Sequence, residues 1–139
     1  MNASADDIVH ACESEWEAHK ADCSGFVSAV AAHLQVPLHG MANDIVDVIS
    51  KQPWSRLPDG VEAGKSAAAG RFVVAGLKGS DQAQPSPHGH VVVVVHGELA
   101  HEKYPTAYWG RLGAVGSKAQ TINFAWNSQD RDKVIYAAI

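Results

Sequence analysis

The sequence predicts an α+β domain in which helices from the first half of the chain pack on an antiparallel sheet built by the second half. Up to about residue 70, apolar residues recur at three- and four-residue spacing, the period of amphipathic helices. From residue 71 the pattern changes to short runs rich in β-branched residues, separated by glycine and proline, which is typical of strands. A chain of 139 residues suits one domain, so we expect a helical part over about 1–70 and a sheet part over about 71–139.

Four helices are predicted in the first half. They cover residues 6 to about 20, about 23–34, about 42–51 and about 61–69. In the first helix, Ile8, Cys12 and Trp16 follow one another at four-residue intervals, which places them on one face. We interpret Cys12 as a packing thiol of that face, because nothing in its polar neighbourhood would activate it.

Five strands are predicted in the second half. They cover residues 71–77, 90–95, 99 to about 104, 121–126 and 133–138. The five consecutive valines from Val91 to Val95 predict a central strand that is buried on both faces. The segment His96–Glu98 is predicted as a tight hairpin turn, so that the third strand returns beside the central one.

The charge pattern provides no basis for a nucleic-acid partner. The net charge is −4, and no run of lysines or arginines is present. Residues 1–69 carry a net charge of −6 and residues 70–139 a net charge of +2, so an anionic substrate is expected nearer the second half. The candidate cations there are Arg71, Lys78, Lys103 and Arg111.

The segment Met1–Asp7 lacks the basic and apolar blocks of a secretory leader, and no apolar run approaches the length of a membrane span. We therefore expect a protein made in the cytoplasm without a signal peptide, with no membrane partner. Two cysteines permit at most one disulfide, and we expect both to be free. We also expect a monomer.

The stretch Asp22–Val27 holds the main candidate for chemistry. Cys23 stands in the first turn of the second helix, where unpaired N–H groups and the helix dipole favour an anion. Such a position can lower a cysteine pKa from ~8.5 into the ~3.5–7.5 range. We therefore predict that Cys23 is a nucleophile, with the backbone N–H groups of Cys23 and Ser24 binding an oxyanion. Asp22 is expected at the N-cap and Gly25 where a substrate backbone approaches, while an inert core thiol is the alternative for Cys23.

A nucleophilic thiol needs a base, and the sequence offers eight histidines. His90 is preferred because it begins the central strand, where its ring can emerge at the end of the sheet. His88, two residues earlier, is the competitor. His101 is a possible third residue that orients the imidazole across the predicted hairpin, with Glu102 or a backbone carbonyl as alternatives.

A zinc site is the alternative to this assignment. His88 and His90 alternate along a strand and share a face, so together with Cys23 or His101 they are a candidate zinc site. The sequence has no helical His-Glu-x-x-His motif and no paired Cys-x-x-Cys motif. We therefore predict no metal and no other cofactor.

The stretch Asp22–Val27, followed much later by Gly89-His90-Val91, resembles the NlpC-type branch of the papain-like cysteine peptidases. The sequence is most similar to the type VI secretion amidase effectors of the first family. The other segments that carry this resemblance, in the same order, are Ile8-Val9 with Ala11-Cys12, Val36-Pro37, Val73–Gly79, Lys103-Tyr104-Pro105, Gly113–Gly116, and Trp126-Asn127 with Asp130-Arg131-Asp132. They cover most of the chain.

The resemblance implies a papain-like fold and a peptidoglycan amidase that hydrolyses the γ-D-glutamyl–meso-diaminopimelate bond of stem peptides. It implies that Cys23 attacks and that His90 acts as general base and then as general acid. It also implies delivery by the type VI secretion machinery into the periplasm of a rival Gram-negative cell, and a cognate immunity protein that plugs the cleft.

Two other functions are compatible with the residues. One is a papain-like hydrolase or acyltransferase that acts on another amide or ester. The other is a catalytically silent wall-binding or toxin–antitoxin module that keeps the fold. A reactive Cys23 thiol would distinguish both enzymes from the silent module.

Overall fold

The computed structural model describes residues 4–139 and confirms the α+β class. Residues 1–3, where the segment predicted to lack a secretory leader begins, lie outside the described part. The helices are α1 (Ala5–His19), α2 (Cys23–His33), α3 (Ala42–Ile49) and α4 (Gly60–Ala68). The strands are β1 (Ser55–Leu57), β2 (Val73–Leu77), β3 (His90–Val94), β4 (Thr106–Trp109), β5 (Ser117–Thr121) and β6 (Ile135–Ala138).

The four predicted helices are all present, and their ends have local causes. The Ser4 hydroxyl accepts a hydrogen bond from the Asp7 backbone N–H at 3.1 Å and so caps α1. The Asp59 side chain caps α4 in the same way by accepting from the Glu62 N–H. Within residues 4–139, no helix combines the length and the apolar character needed to cross a bilayer.

The strands form one antiparallel sheet in the order β1-β6-β2-β3-β4-β5, so β3 lies inside it as predicted. Val91, Val93 and Val95 pack with residues of α1, α2 and α3 on one face of the sheet. Val92 and Val94 pack with residues of α4 on the other face. Burial on both faces explains the uninterrupted valine run and fixes the strand that carries His90.

The prediction for residues 96–104 was wrong. The chain leaves β3 through a longer loop, and the partner strand β4 begins only at Thr106. His101 and Glu102 have φ values of 52° and 60°, in the left-handed region that a strand does not use. A single bridge between Ala100 and Tyr104 closes this turn.

Two further differences concern short segments. Residues 121–126 were predicted as a strand, but β5 ends at Thr121 and a 3-10 turn follows over Ile122–Phe124. Ile122 is fully buried there, whereas Phe124 is 64% exposed. The edge strand β1 was not predicted, because its three residues lie between prolines and show no apolar alternation.

Candidate active site

The first turn of α2 places Cys23 where β3 begins. Asp22 occupies the N-cap with extended backbone angles, as expected, but its side chain caps no N–H group. Its carboxylate instead accepts a hydrogen bond from the Ser24 hydroxyl at 3.1 Å. A side chain at Gly25 would collide with this carboxylate, so the glycine makes room for Asp22.

The Cys23 thiol is nearly buried, with 6% of the residue exposed. Burial raises the pKa of the thiol above its ordinary value, and the charge of Asp22 adds to this effect. Hydrogen bonds from the backbone N–H groups of Val91, Ser24 and Cys23 lower the same pKa without reversing the direction. The expectation that the pKa of Cys23 lies below its ordinary value was therefore wrong, because burial outweighs the effect of the helix start, and the resting sulfur is a protonated thiol.

The thiol opens into a cleft of about 780 Å³ between the start of α2, the start of β3 and the 3-10 turn. Cys23 and His90 both line this cleft. Val91, the residue after His90, lies close enough to the sulfur for its backbone N–H to lower the pKa of the thiol. The sequence prediction thus selected two residues that the fold brings to one cavity.

The His90 ring is held by aromatic side chains. Its centroid lies 5.1 Å from that of Trp126 and 6.5 Å from that of Trp109, both in edge-to-face geometry. Its Nε2 atom is buried and has no hydrogen-bond partner among residues 4–139. Burial lowers the pKa of His90 to about 3, and the nearby charge of Arg111 contributes to this shift. The resting imidazole is therefore neutral.

The other predicted histidines lie in different surroundings. His88 also lines the cleft, but it is exposed, whereas His90 is 8% exposed. His101 lies outside the cleft on the exposed turn after β3, where its ring packs against Tyr104. His101 thus makes no described contact that would orient His90. The described residues contain no group of three His, Cys, Asp or Glu side chains placed to hold a metal ion.

Sequence reasoning missed the close neighbours of His90. Trp109 was not singled out, Trp126 was named only within a segment of the family resemblance, and Arg111 was only one of four candidate cations. The structure pairs Val93 with Tyr108 and Val94 with Ala107. Continued beyond the end of β4, this register brings Arg111 towards His90. The signal that could have found Arg111 is the true length of the loop between β3 and β4.

The chain is similar in sequence to a known protein over most of its length. No protein-family model matches the chain. The chain is 41% identical over 140 aligned residues to the peptidoglycan amidase Tse1 of Pseudomonas aeruginosa. The alignment covers 93% of this chain and 86% of that relative. The protein therefore belongs to the family of the peptidoglycan amidase Tse1, the type VI secretion amidase effectors that its sequence motifs resemble.

Proposed function

We propose that this protein is a peptidoglycan amidase that hydrolyses the γ-D-glutamyl–meso-diaminopimelate bond of stem peptides. The observation that carries the proposal is the thiol of Cys23 in the same cleft as the imidazole of His90. The family membership supports peptidoglycan as the substrate. In this proposal Cys23 and His90 form the catalytic dyad, and no cofactor takes part.

The first step is attack of sulfur on the γ-carbonyl of D-glutamate. Because the resting thiol is protonated and the imidazole is neutral, His90 takes the Sγ proton as the C–S bond forms. The C=O electron pair moves onto oxygen and gives a tetrahedral oxyanion.

Collapse of this intermediate breaks the C–N bond and leaves a thioester on Cys23. His90 returns its proton to the departing diaminopimelate amine, so no free amide anion forms. Water then attacks the thioester while His90 removes a water proton. Release of the glutamyl carboxylate returns that proton to the sulfur and restores the starting state.

The backbone supplies the electrostatic part of catalysis. The N–H groups of Cys23 and Ser24 belong to the unpaired first turn of α2 and lower the pKa of the thiol. A tetrahedral oxyanion bound to the same sulfur lies within their reach. We assign these two groups as the oxyanion donors.

We also propose how the protein reaches its substrate and which partners it has. Residues 1–139 act as one catalytic domain and as a monomer. The type VI secretion machinery delivers it into the periplasm of a target Gram-negative cell, and a cognate immunity protein protects the producer by covering the cleft. Exposed apolar side chains at the cleft, such as Leu112 and Phe124, are suited to such a cover.

Digestion of purified sacculi tests the function. The intact protein should release muropeptides cut between D-glutamate and diaminopimelate, identified by mass spectrometry, and the Cys23→Ala variant should release none. Cleavage at another bond would overturn the proposed specificity. Absence of any cleavage by the folded wild-type protein would overturn the proposed enzyme.

A further inference from the structure

Arg111 is a cation inside the candidate active site. It lines the same cleft as Cys23 and His90, and it is the one lysine or arginine among the described residues that does so. Its Nη2 donates a hydrogen bond to the Ala125 backbone oxygen at 3.2 Å, which holds the guanidinium beside the 3-10 turn. The positive charge of Arg111 is therefore held at a defined place in the cleft.

The charge of Arg111 is not neutralised by the protein. Within residues 4–139, no acidic side chain lies within ion-pair distance of this guanidinium, although most of the lysines there form ion pairs. Asp130, the acidic residue of the cleft, accepts a hydrogen bond from the Ala83 N–H and lies 3.7 Å from Lys133. The remaining N–H groups of Arg111 are free to bind an anion in the cleft.

The position of this charge matters for the dyad. Arg111 contributes to the lowered pKa of His90, so it disfavours the imidazolium that the first proton transfer would form. An anion bound to Arg111 would offset this repulsion. A substrate that carries such an anion would make His90 a stronger base when it binds.

The proposed substrate has an anion at a suitable position. In a γ-D-glutamyl bond the attacked carbonyl belongs to the side chain of glutamate, so the α-carboxylate stays free. It is separated from the attacked carbon by the Cα and two methylene groups. A planar guanidinium fork matches a carboxylate in charge and geometry.

We propose that Arg111 binds the free α-carboxylate of the D-glutamyl residue whose γ-carbonyl Cys23 attacks. This inference rests on the proposed function and names the group that selects the substrate within it. Arg111 thereby distinguishes a D-glutamate stem from one whose α-carboxyl group has been amidated. It also places the γ-carbonyl between the thiol and the N–H groups of α2.

Two synthetic peptides test the inference without any mutation. They are L-Ala-γ-D-Glu-meso-diaminopimelate-D-Ala and the same peptide with an α-carboxamide on the D-glutamyl residue. The wild-type protein should cleave the carboxylate peptide with a kcat/KM about 10- to 100-fold above that of the carboxamide, as expected for a lost charge-assisted hydrogen bond.

The Arg111→Gln variant should lose this preference. Its kcat/KM for the carboxylate peptide should fall by about 10- to 100-fold, while that for the carboxamide peptide changes little, so the ratio approaches one. Arg56→Gln is the matched control, because Arg56 is exposed on β1 at the far edge of the sheet. The control should keep the wild-type ratio.

The outcomes separate this inference from the proposed function. Cleavage of neither peptide by wild-type protein would overturn the proposed function and the inference with it. Equal cleavage of both peptides by wild-type protein would overturn the inference alone. The same holds if Arg111→Gln, folded by circular dichroism, slows both peptides equally and keeps their ratio.

Discussion

One cysteine is buried in the middle of α1 and another at the start of α2, but the surroundings of the two thiols differ. Cys12 is fully buried within α1, and burial raises its pKa far above the ordinary value. Cys23 is almost as buried, but the backbone N–H groups of Val91, Ser24 and Cys23 itself lower the pKa of its thiol, and the residue lines the cleft. In mid-helix such N–H groups are used by carbonyls one turn earlier, whereas the first turn leaves them free. Position in the helix, rather than burial alone, separates a packing thiol from a candidate nucleophile.

Replacing each cysteine in turn gives the largest expected contrast. Cys23→Ala should reduce the rate of stem-peptide cleavage by at least about 10³-fold, because no other group in the cleft can form the thioester. Cys12→Ala should keep the wild-type rate and lower the free energy of unfolding by about 1 kcal/mol, since it removes a buried atom. Peptide cleavage assays and urea unfolding measure both effects. An inactive Cys12→Ala that remains folded would break the contrast.

The two histidines of the cleft extend the same comparison from the thiols to their base. His90→Ala should lower the cleavage rate by about 10²-fold or more, because Cys23 would lose its proton acceptor. His88→Ala should reduce the rate far less, since this residue is exposed whereas His90 is buried. Steady-state kinetics on one stem peptide compares the variants. A dead His88→Ala beside an active His90→Ala would reverse the assignment of the base.

Acid should lower the free energy of unfolding of the protein through His90 in the cleft, and not through Cys12. The folded pKa of His90 is about 3 and the unfolded value about 6.5, so below pH 6.5 the unfolded chain binds a proton that the folded one does not. The contribution of His90 to the free energy of unfolding is thus fully present above pH 6.5 and is lost as the pH falls towards 3. By pH 4.5 the loss should reach about 3 kcal/mol.

Urea unfolding at pH 7 and pH 4.5 tests this loss. The free energy of unfolding differs between the two pH values, and in His90→Gln this difference should be smaller by about 3 kcal/mol. In Cys12→Ala it should be the same as in the wild-type protein. An unchanged difference in His90→Gln would show that another group governs the acid sensitivity.

The smallest effect is expected outside both thiol sites. His101→Ala should change the cleavage rate by less than about twofold, because His101 is exposed and lies away from the cleft. The same kinetic assay measures it. A loss comparable to that of His90→Ala would return His101 to the site.

The parts of the fold that depend on local pattern were predictable. The helical spacing of apolar residues in α1 and α2 reflects one buried face of each helix. The valine run of β3 reflects burial on both faces of the sheet. The loop after β3 was not predictable, because its length depends on where β4 finds its pairing partner. That error placed His101 beside His90 and left the nearness of Arg111 unnoticed.

The candidate site was predictable to a similar extent. Cys23 and His90 each stand at the first residue of a regular element, which the sequence marks. The pKa shifts of both residues come mainly from burial, to which distant residues such as Trp126 contribute, and that of His90 comes also from the charge of Arg111. Those contacts arise only when the sheet and the 3-10 turn assemble.

The central claim is that Cys23 reacts and that His90 activates it. The most direct test is alkylation of the native protein by iodoacetamide at pH 7, followed by intact mass and peptide mapping. We expect one adduct, on Cys23 and not on Cys12, with a rate constant that falls at least about 10-fold in folded His90→Ala. An adduct on Cys12 alone, no adduct at all, or equal rates in both proteins would contradict the claim.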